Sequence, residues 1–501
     1  MNRRYWLLAM GLGLLGFVIG GLLFGAYRQS PVYIPPLKVV GDVARVVRLE
    51  DLQHQLVSAQ EPSSCASQQL GKLHNVIYEG RKYQALKLLD IIDAAQPIGP
   101  PKQIYLVGSD GFTSSFPAQG LEKSYITFTA QNGWEAINLN HPVSSNAKVL
   151  KEIIIVAEGG SSPLGLTVIN SEKELSRVTT GQLYTRTLLE YPYAEGQAAV
   201  ENEGQTYTSS VYTLRKVFRL ADLTPIQEGG MMLVMGGNGE QRFLENRGYF
   251  ELKDNCINYL DIDERSQMEE IKGVIVNPPT TSIMDTYYDA RHYMENGDKV
   301  LVVVLEGFTY SLYTHAIEKG HLPFLENVGP AQQATGVYPL EHNVWLAAMI
   351  TGAVPAENGV VNAKDQDLKV SSLFAVAQRL KMPALLLQSD AKLLNTEVEP
   401  LLINDQNTSG TADDELYALT LDKLEQDYDF IMVCLDGIAS SSESHGSEAE
   451  PALAALHATD KYLQGLVKQW PGKVIITGSP GKTGQKEFTC DSIFVPYLYL
   501  K

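Results

Sequence analysis

The sequence has little cysteine, no basic run and only one long apolar stretch. Its four cysteines, Cys65, Cys256, Cys434 and Cys490, stand far apart with no C-x-x-C pair. That argues against a disulfide scaffold and against a structural zinc site of ordinary spacing. Lys and Arg number 40 against 58 Asp and Glu, giving a formal net charge of -18, and no Lys/Arg-rich run breaks that excess. Nucleic acid, whose phosphates need clustered cations, is therefore not an expected partner. The absence of a glycine period, of sustained heptads and of a second apolar span excludes collagen, coiled coil and multi-span membrane protein.

What is there is an ordinary globular composition. The 501 residues are 44% hydrophobic and 20% charged, enough for several cores and for two to four domains of about 100–200 residues each. The one apolar stretch is N-terminal. Asn2-Arg3-Arg4 precede an uncharged run from Tyr5 to Tyr27, which at about 1.5 Å per helical residue is long enough to cross a bilayer. Its exit, Leu23-Phe24-Gly25-Ala26, puts a bulky Phe where signal cleavage wants a small residue. The expectation is an uncleaved transmembrane helix within residues 1–29. Arg3 and Arg4 would stay cytoplasmic, leaving the bulk of the chain outside the cell membrane.

The first half reads as a duplicated unit. Tyr78-Glu79-Gly80, then Leu88-Leu89-Asp90-Ile91, then Tyr105-Leu106-Val107-Gly108 with the Asp110-Gly111 turn, lead to the strand Ile153-Ile154-Ile155-Val156. Asn202-Glu203-Gly204, Phe218-Arg219-Leu220-Ala221-Asp222, Leu233-Val234-Met235-Gly236 with the Asn238-Gly239 turn, and Val274-Ile275-Val276 follow in the same order. Asp-Gly and Asn-Gly after an apolar strand are turn chemistry, since these residues tolerate positive φ. The expected repeats span 37–157 and 163–277. Asn277-Pro278-Pro279 then interrupts both helix and sheet, and a linker over 278–298 is expected.

From Lys299 onward the pattern changes. Val300–Leu305, Ala384–Leu387, Phe430–Leu435 and Val474–Thr477 are continuous apolar runs, as in strands covered on both faces. Helical stretches at Leu373–Leu380, Glu415–Glu425 and Ala452–Trp470 alternate with them. The fold class expected is an α/β C-terminal domain with a mainly parallel sheet, preceded by two α+β (β-rich) repeat domains and an N-terminal transmembrane helix. Sites in such sheets lie beyond the carboxyl ends of the strands, here after Leu305, Leu435 and Thr477.

Two resemblances bear on function. The stretch Glu79 to Pro117, with its "LLDII" and "YLVGSDGFTSSFP" segments, resembles the molybdopterin-binding fold of the sulfite oxidase family. That family holds molybdenum through a Cys thiolate and binds the cofactor's phosphate with basic residues. Cys65 lies where such a ligand would fall, but Ser63, Ser64, Ala66 and Ser67 around it supply no Arg or His. A thiolate alone does not hold a large anion, so molybdopterin is not expected.

The second resemblance covers Lys299 to Tyr497. "VLVVVLEGFTYSLY", "ATGVYPLEHNVWLAAMITGAVPAENGV", "LQSDAKLLNTEVEPLLINDQNTSGTADDE" and "KVIITGSPGKTG" resemble the alkaline phosphatase superfamily, in its type I phosphodiesterase/nucleotide pyrophosphatase-like branch. The resemblance implies two divalent metals, Zn or Mn, held by Asp and His at strand ends, with a Thr nucleophile. Here the first ligand position is Glu306 before Gly307, and the nucleophile position is His342 before Asn343. The next ligands fall on Ala439 and Glu443, the Asp-His pair on Ser479 and Pro480, and the last His on Gln485 or Lys486. Ala439 and Pro480 have no donor atom, which points to a pseudoenzyme.

Two other metal arrangements stay open at this level. Asp436, Glu443, His445 and Asp491 could join Glu306 and His342 in a different site, although Ser440–Gly446 reads as a solvated loop. Asp405, Asn407 and Ser409, with Gly410 and then Asp413, begin like a calcium loop, but Leu416 stands where the bidentate carboxylate belongs. The bland alternative there is a turn into a helix capped by Thr411. The expected function is a membrane-anchored extracytoplasmic protein whose degenerate phosphodiesterase-like domain binds a ligand or protein partner without turnover. The alternative is a divalent-metal-dependent phosphodiesterase with divergent ligands.

Overall fold

The computed structural model describes residues 36–49, 72–159, 164–202, 205–226, 229–261, 267–389, 391–446, 449–480 and 487–500. The expected anchor at 1–29, Cys65, Gln485 and Lys486 lie outside the described residues. Among the described residues no helix is long and apolar enough to cross a membrane. The chain divides into two compact units. One takes Met1–Val39, Arg45–Gln96 and Lys102–Ile155; the other takes Val40–Ala44, Pro97–Pro101 and Val156–Lys501.

Apart from residues 40–41, 101 and 156–157, the first unit contains β1 (Lys38–Gly41), β2 (Val47–Arg48), β3 (His74–Tyr78), β4 (Arg81–Lys87), α1 (Leu88–Ala95), β5 (Pro101–Gly108), β6 (Thr113–Pro117), β7 (Ser124–Thr129), β8 (Gly133–Asn138) and β9 (Leu150–Ala157). They form one sheet in the order β2-β1-β9-β5-β6 and another in the order β3-β4-β7-β8. Helix α1 buries Leu88, Ile91, Ile92 and Ala95, the spacing of one helical face. Strand β5 alternates, with Ile104 and Leu106 fully buried between partly exposed neighbours, as a sheet with one well-covered face does.

The second unit opens with β10 (Leu166–Ile169), β11 (Glu174–Val178), α2 (Thr180–Tyr184), β12 (Leu189–Asn202), β13 (Gln205–Phe218), β14 (Met231–Gly236), β15 (Gln241–Glu245), β16 (Tyr249–Lys253), β17 (Cys256–Leu260), β18 (Gln267–Met268) and β19 (Ile271–Val276). Their sheets run β11-β10-β19-β14-β15 and β12-β13-β16-β17-β18. Strand β14 is apolar throughout because both its faces are covered. Met232 and Val234 belong to the core between these two sheets. Leu233 and Met235 point the other way, into a cluster built mostly from residues beyond 282.

That cluster belongs to the remaining elements: β20 (Thr281–Ser282), α3 (Asp285–Glu295), β21 (Val300–Glu306), α4 (Tyr310–Glu318), β22 (Gln332–Thr335), α5 (His342–Thr351), α6 (Leu373–Leu380), β23 (Ala384–Ser389), β24 (Leu401–Ile403), α7 (Asp413–Leu424), β25 (Phe430–Leu435), α8 (Gly437–His445), α9 (Glu450–Gln469), β26 (Lys473–Ser479) and β27 (Phe494–Leu500). The sheet runs β20-β22-β27-β26-β21-β25-β23-β24. Strand β21 is parallel to both β25 and β26, and β23 is parallel to β25 and β24. Only β27 runs against its two neighbours. On β21, Val300, Val302 and Val304 enter one core and Leu301, Val303 and Leu305 the other. Helices on both sides of the sheet explain the unbroken apolar run.

Two sequence expectations need correction. Residues 278–298 are not a free linker: β20 pairs with β22, and α3 buries Tyr287, Ala290 and Met294 in the C-terminal core. The two prolines end β19, but the tyrosine-rich segment after them carries an apolar face that needs covering. Ser440–His445, expected as a loop, lies within helix α8. The backbone N–H groups of Asp436 and Gly437 at its start both donate to the buried Asp413 carboxylate, at 2.9 and 3.0 Å. That supplies the capping the serine-rich sequence does not advertise.

The second pair of sheets and the C-terminal sheet therefore share buried surface within one unit. Gly273 shows how tight the packing is, since a Cβ there would lie 2.3 Å from the Phe488 ring. Leu233→Ala is expected to cost about 2–5 kcal/mol and to lower one cooperative transition spanning 164–500. Two transitions in calorimetry, only the first of them shifted, would contradict a shared core, as would rapid proteolysis within 285–298.

Candidate functional site

Strands β21, β23 and β25 end together at one edge of the sheet, where parallel α/β folds place their ligands. Glu306 is the last residue of β21, fully buried and paired in register with Ser479 of β26. His342 is the first residue of α5, and its Nε2 lies 2.9 Å from Glu306 Oε1. This is ion-pair distance without hydrogen-bond alignment, and the second oxygen, Oε2, has no hydrogen-bond partner among the described residues. Gly307 turns the chain away with φ of 77°, and a Cβ on it would meet Ala439 Cα at 2.8 Å. Only glycine lets α8 approach so closely.

The candidate residues separate on inspection. Glu306, His342 and Asn343 line one cavity of about 500 Å³, with Glu341, Ala363, Gln366, Gln388, Ser389, Ala391, Lys392 and Leu393. Asn343 does not face the cavity chemistry: its amide donates to the carbonyls of Asn362 and Asp365 at 2.9 and 2.6 Å, pinning the rim. Asp436 is buried behind the cavity and accepts from Ser389 Oγ at 3.1 Å. Glu443 and His445 are exposed on α8 and do not line the cavity. Asp491 lies in a short helix after residue 489 and does not line it either.

The residues of the calcium-loop reading are not all brought together. Asp405 accepts from the N–H groups of Ser409 and Gly410 at 3.1 and 2.9 Å, and Asn407 Oδ1 accepts from Ser409 at 2.8 Å. These side chains hold an exposed turn with bonds of their own. Asp413 leaves them and points inward beneath β25. Helix α7 begins at Asp413, with Ala412 rather than Thr411 in the capping position.

Sequence reasoning missed Gln388 and Ser389. Both end β23, an apolar run closing on polar residues at the carboxyl end of a parallel strand. The rule that singled out Leu305, Leu435 and Thr477 applied equally there. Gln388 is 1% exposed, and neither of its amide atoms has a hydrogen-bond partner among the described residues.

Electrostatically the region is acidic. Burial, and then the charges of Asp436 and Glu306, push the Asp413 carboxyl up to about 7. Burial, with the same two carboxylates nearby, drives the Cys434 thiol upward as well. A two-metal phosphotransfer centre would need several Asp and His ligands around this edge. The resemblance would put Ala439 and Pro480, which have no donor atoms, at two of those positions. Among the described residues no group of three or more His, Cys, Asp or Glu side chains is arranged to hold a metal ion. The donor set does not fit such a centre.

No family model matches the sequence, and no curated protein matches it. Solved structures similar to part of it include three proteins that act on phosphorus compounds. A phosphonoacetate hydrolase from Sinorhizobium meliloti 1021 shares 14% identity over 36% of this chain and 56% of its own, with a TM-score of 0.31. Murine ectonucleotide pyrophosphatase/phosphodiesterase 5 shares 15% over 37% and 57%, with a TM-score of 0.30. The C-terminal periplasmic domain of the phosphoethanolamine transferase EptC from Campylobacter jejuni shares 14% over 40% and 79%, also at 0.30. The chain thus spans a little over half the length of the first two.

A carboxyl whose value rises on folding from 3.8 to about 7 keeps its proton in the native state over that window. The native state then binds more protons than the unfolded chain, so this group's contribution to stability grows as pH falls from about 7 toward about 4. Asp413→Asn should flatten the rise in unfolding midpoint between about pH 7.5 and about pH 5. An unchanged slope would mean that Asp413 is ionised in the folded protein at neutral pH.

Proposed function

We propose that this chain is a membrane-anchored, extracytoplasmic binding protein whose C-terminal domain is a non-catalytic member of the alkaline phosphatase superfamily, of phosphodiesterase type. The four sequence blocks between Lys299 and Tyr497 support the superfamily, and the mainly parallel sheet is compatible with it. The anchor rests on the uncharged run from Tyr5 to Tyr27. We also read the two modules before the domain as a duplication, because their strand orders correspond position for position once the two-residue β18 is set aside.

One observation carries the non-catalytic reading. The first ligand position and the nucleophile position are occupied by Glu306 and His342, which face each other at 2.9 Å. An imidazole is a competent nucleophile in principle. In-line displacement at phosphorus, however, needs positive charge around the phosphoryl oxygens. Here the carboxylates of Glu306 and Glu341 line the cavity and that of Asp436 lies beyond Ser389, and all three repel them. A bimetallic clamp supplies many kcal/mol of barrier lowering, and about 1.4 kcal/mol is a factor of ten in rate. Its loss leaves binding as the function the site retains.

Purified protein is expected to leave p-nitrophenyl phosphate and bis(p-nitrophenyl) phosphate unhydrolysed above buffer background, with Zn²⁺ or Mn²⁺ in excess. A metal-stimulated rate abolished by Glu306→Gln would replace this reading with that of a divergent hydrolase.

A further inference from the structure

We infer that the cavity at the end of β21 binds a small organic cation, a primary ammonium or guanidinium head on a short apolar stem, and not a phosphate ester. The inference rests on the binding role proposed above and names its ligand class.

The floor of the cavity is the starting point. Glu306 is 1% exposed, and burying a carboxylate is costly unless opposite charge and hydrogen bonds answer it. His342 answers one oxygen, out of hydrogen-bond alignment, and Oε2 is left without a hydrogen-bond partner among the described residues. Gln388, also 1% exposed, lines the same cavity; neither amide atom makes a well-aligned hydrogen bond among the described residues, its polar neighbour being the buried Cys434 thiol. Two side chains this deeply buried, each with unused polar atoms beside one cavity, describe a ligand's complement. They offer two acceptors, Glu306 Oε2 and Gln388 Oε1, and the two N–H donors of Gln388 Nε2.

Charge selects the ligand. Glu306 and Glu341 line the cavity, and Asp436 lies behind Ser389. The cation at the rim, Lys392, is already paired with Glu399 at 2.7 Å. The N-terminal turn of α5 also faces this region and brings partial positive charge, but Glu306 and Glu341 beside it offset that charge. A phosphate would meet like charge on the floor. An ammonium or guanidinium group would carry several N–H donors to Glu306 and Gln388 at once, with charge-assisted bonds to the carboxylate. Ala363, Ala391 and Leu393 supply the apolar wall for a stem, and a space of about 500 Å³ is within the range of small-molecule sites.

Calorimetric titration of the full chain with n-butylammonium chloride and with agmatine tests this against inorganic phosphate and against ZnCl₂. Saturable binding of at least one amine is expected, weakened about tenfold or more by Glu306→Gln and also weakened by Gln388→Leu, with no binding of phosphate. Glu341→Gln, in the cavity lining, should weaken the amine even if the Glu306 variant fails to fold. Binding of phosphate without either amine would overturn the inference, as would amine binding indifferent to all three substitutions. Stoichiometric Zn²⁺ binding lost in Glu306→Gln would overturn it too, because the carboxylates would then serve a metal. Hydrolysis of an ester in the same samples would bear on the non-catalytic reading alone, while silence toward both amines without hydrolysis would sink only the ligand class.

Discussion

A buried carboxylate at the end of the central strand is the constraint on which the candidate site depends. Glu306 sits where β21 emerges between β25 and β26, and the surrounding chain is arranged by what that charge requires. His342 is brought to it by the start of α5. Asp436 accepts from Ser389, and burial beside Asp436 and Glu306 raises the Asp413 carboxyl against the pull of two backbone N–H groups. Opposite these carboxylates the chain has one imidazole and an open cavity. Both proposals follow from that imbalance: chemistry at phosphorus is disfavoured, and a cation is welcome.

The scaffold that holds this charge is unusually well braced. Strand β21 is covered on both faces, and α5 is buried along nearly its whole length. The preceding sheet pair lends Leu233, Met235 and Ile275 to the same core. A site on such elements keeps its geometry without a ligand, which lowers the ordering cost of binding.

Much of this was legible in the sequence, for identifiable reasons. The four apolar runs of the C-terminal sheet and helix α6 fall where periodicity put them, because burial on both faces leaves an unbroken apolar signature. Three features were hidden. Helix α3 follows Pro278-Pro279 and is polar over much of its surface, so its narrow buried face read as linker. Helix α8 is serine-rich and capped from a distant residue, Asp413, which no local pattern reveals. Gln388 was invisible because a glutamine at a strand end carries no motif, and its meaning comes only from burial without a partner. Glu306 and His342 stood out in the sequence as candidate site residues, but their facing each other at 2.9 Å did not.

The central claim is that Glu306 and His342 stand in place of a bimetallic centre, and metal content tests it most directly. Elemental analysis of protein purified without chelators, then dialysed against Zn²⁺ and Mn²⁺ and desalted, should find no metal bound stoichiometrically in the C-terminal domain. Two ions per chain, lost together in Glu306→Gln, would contradict the account.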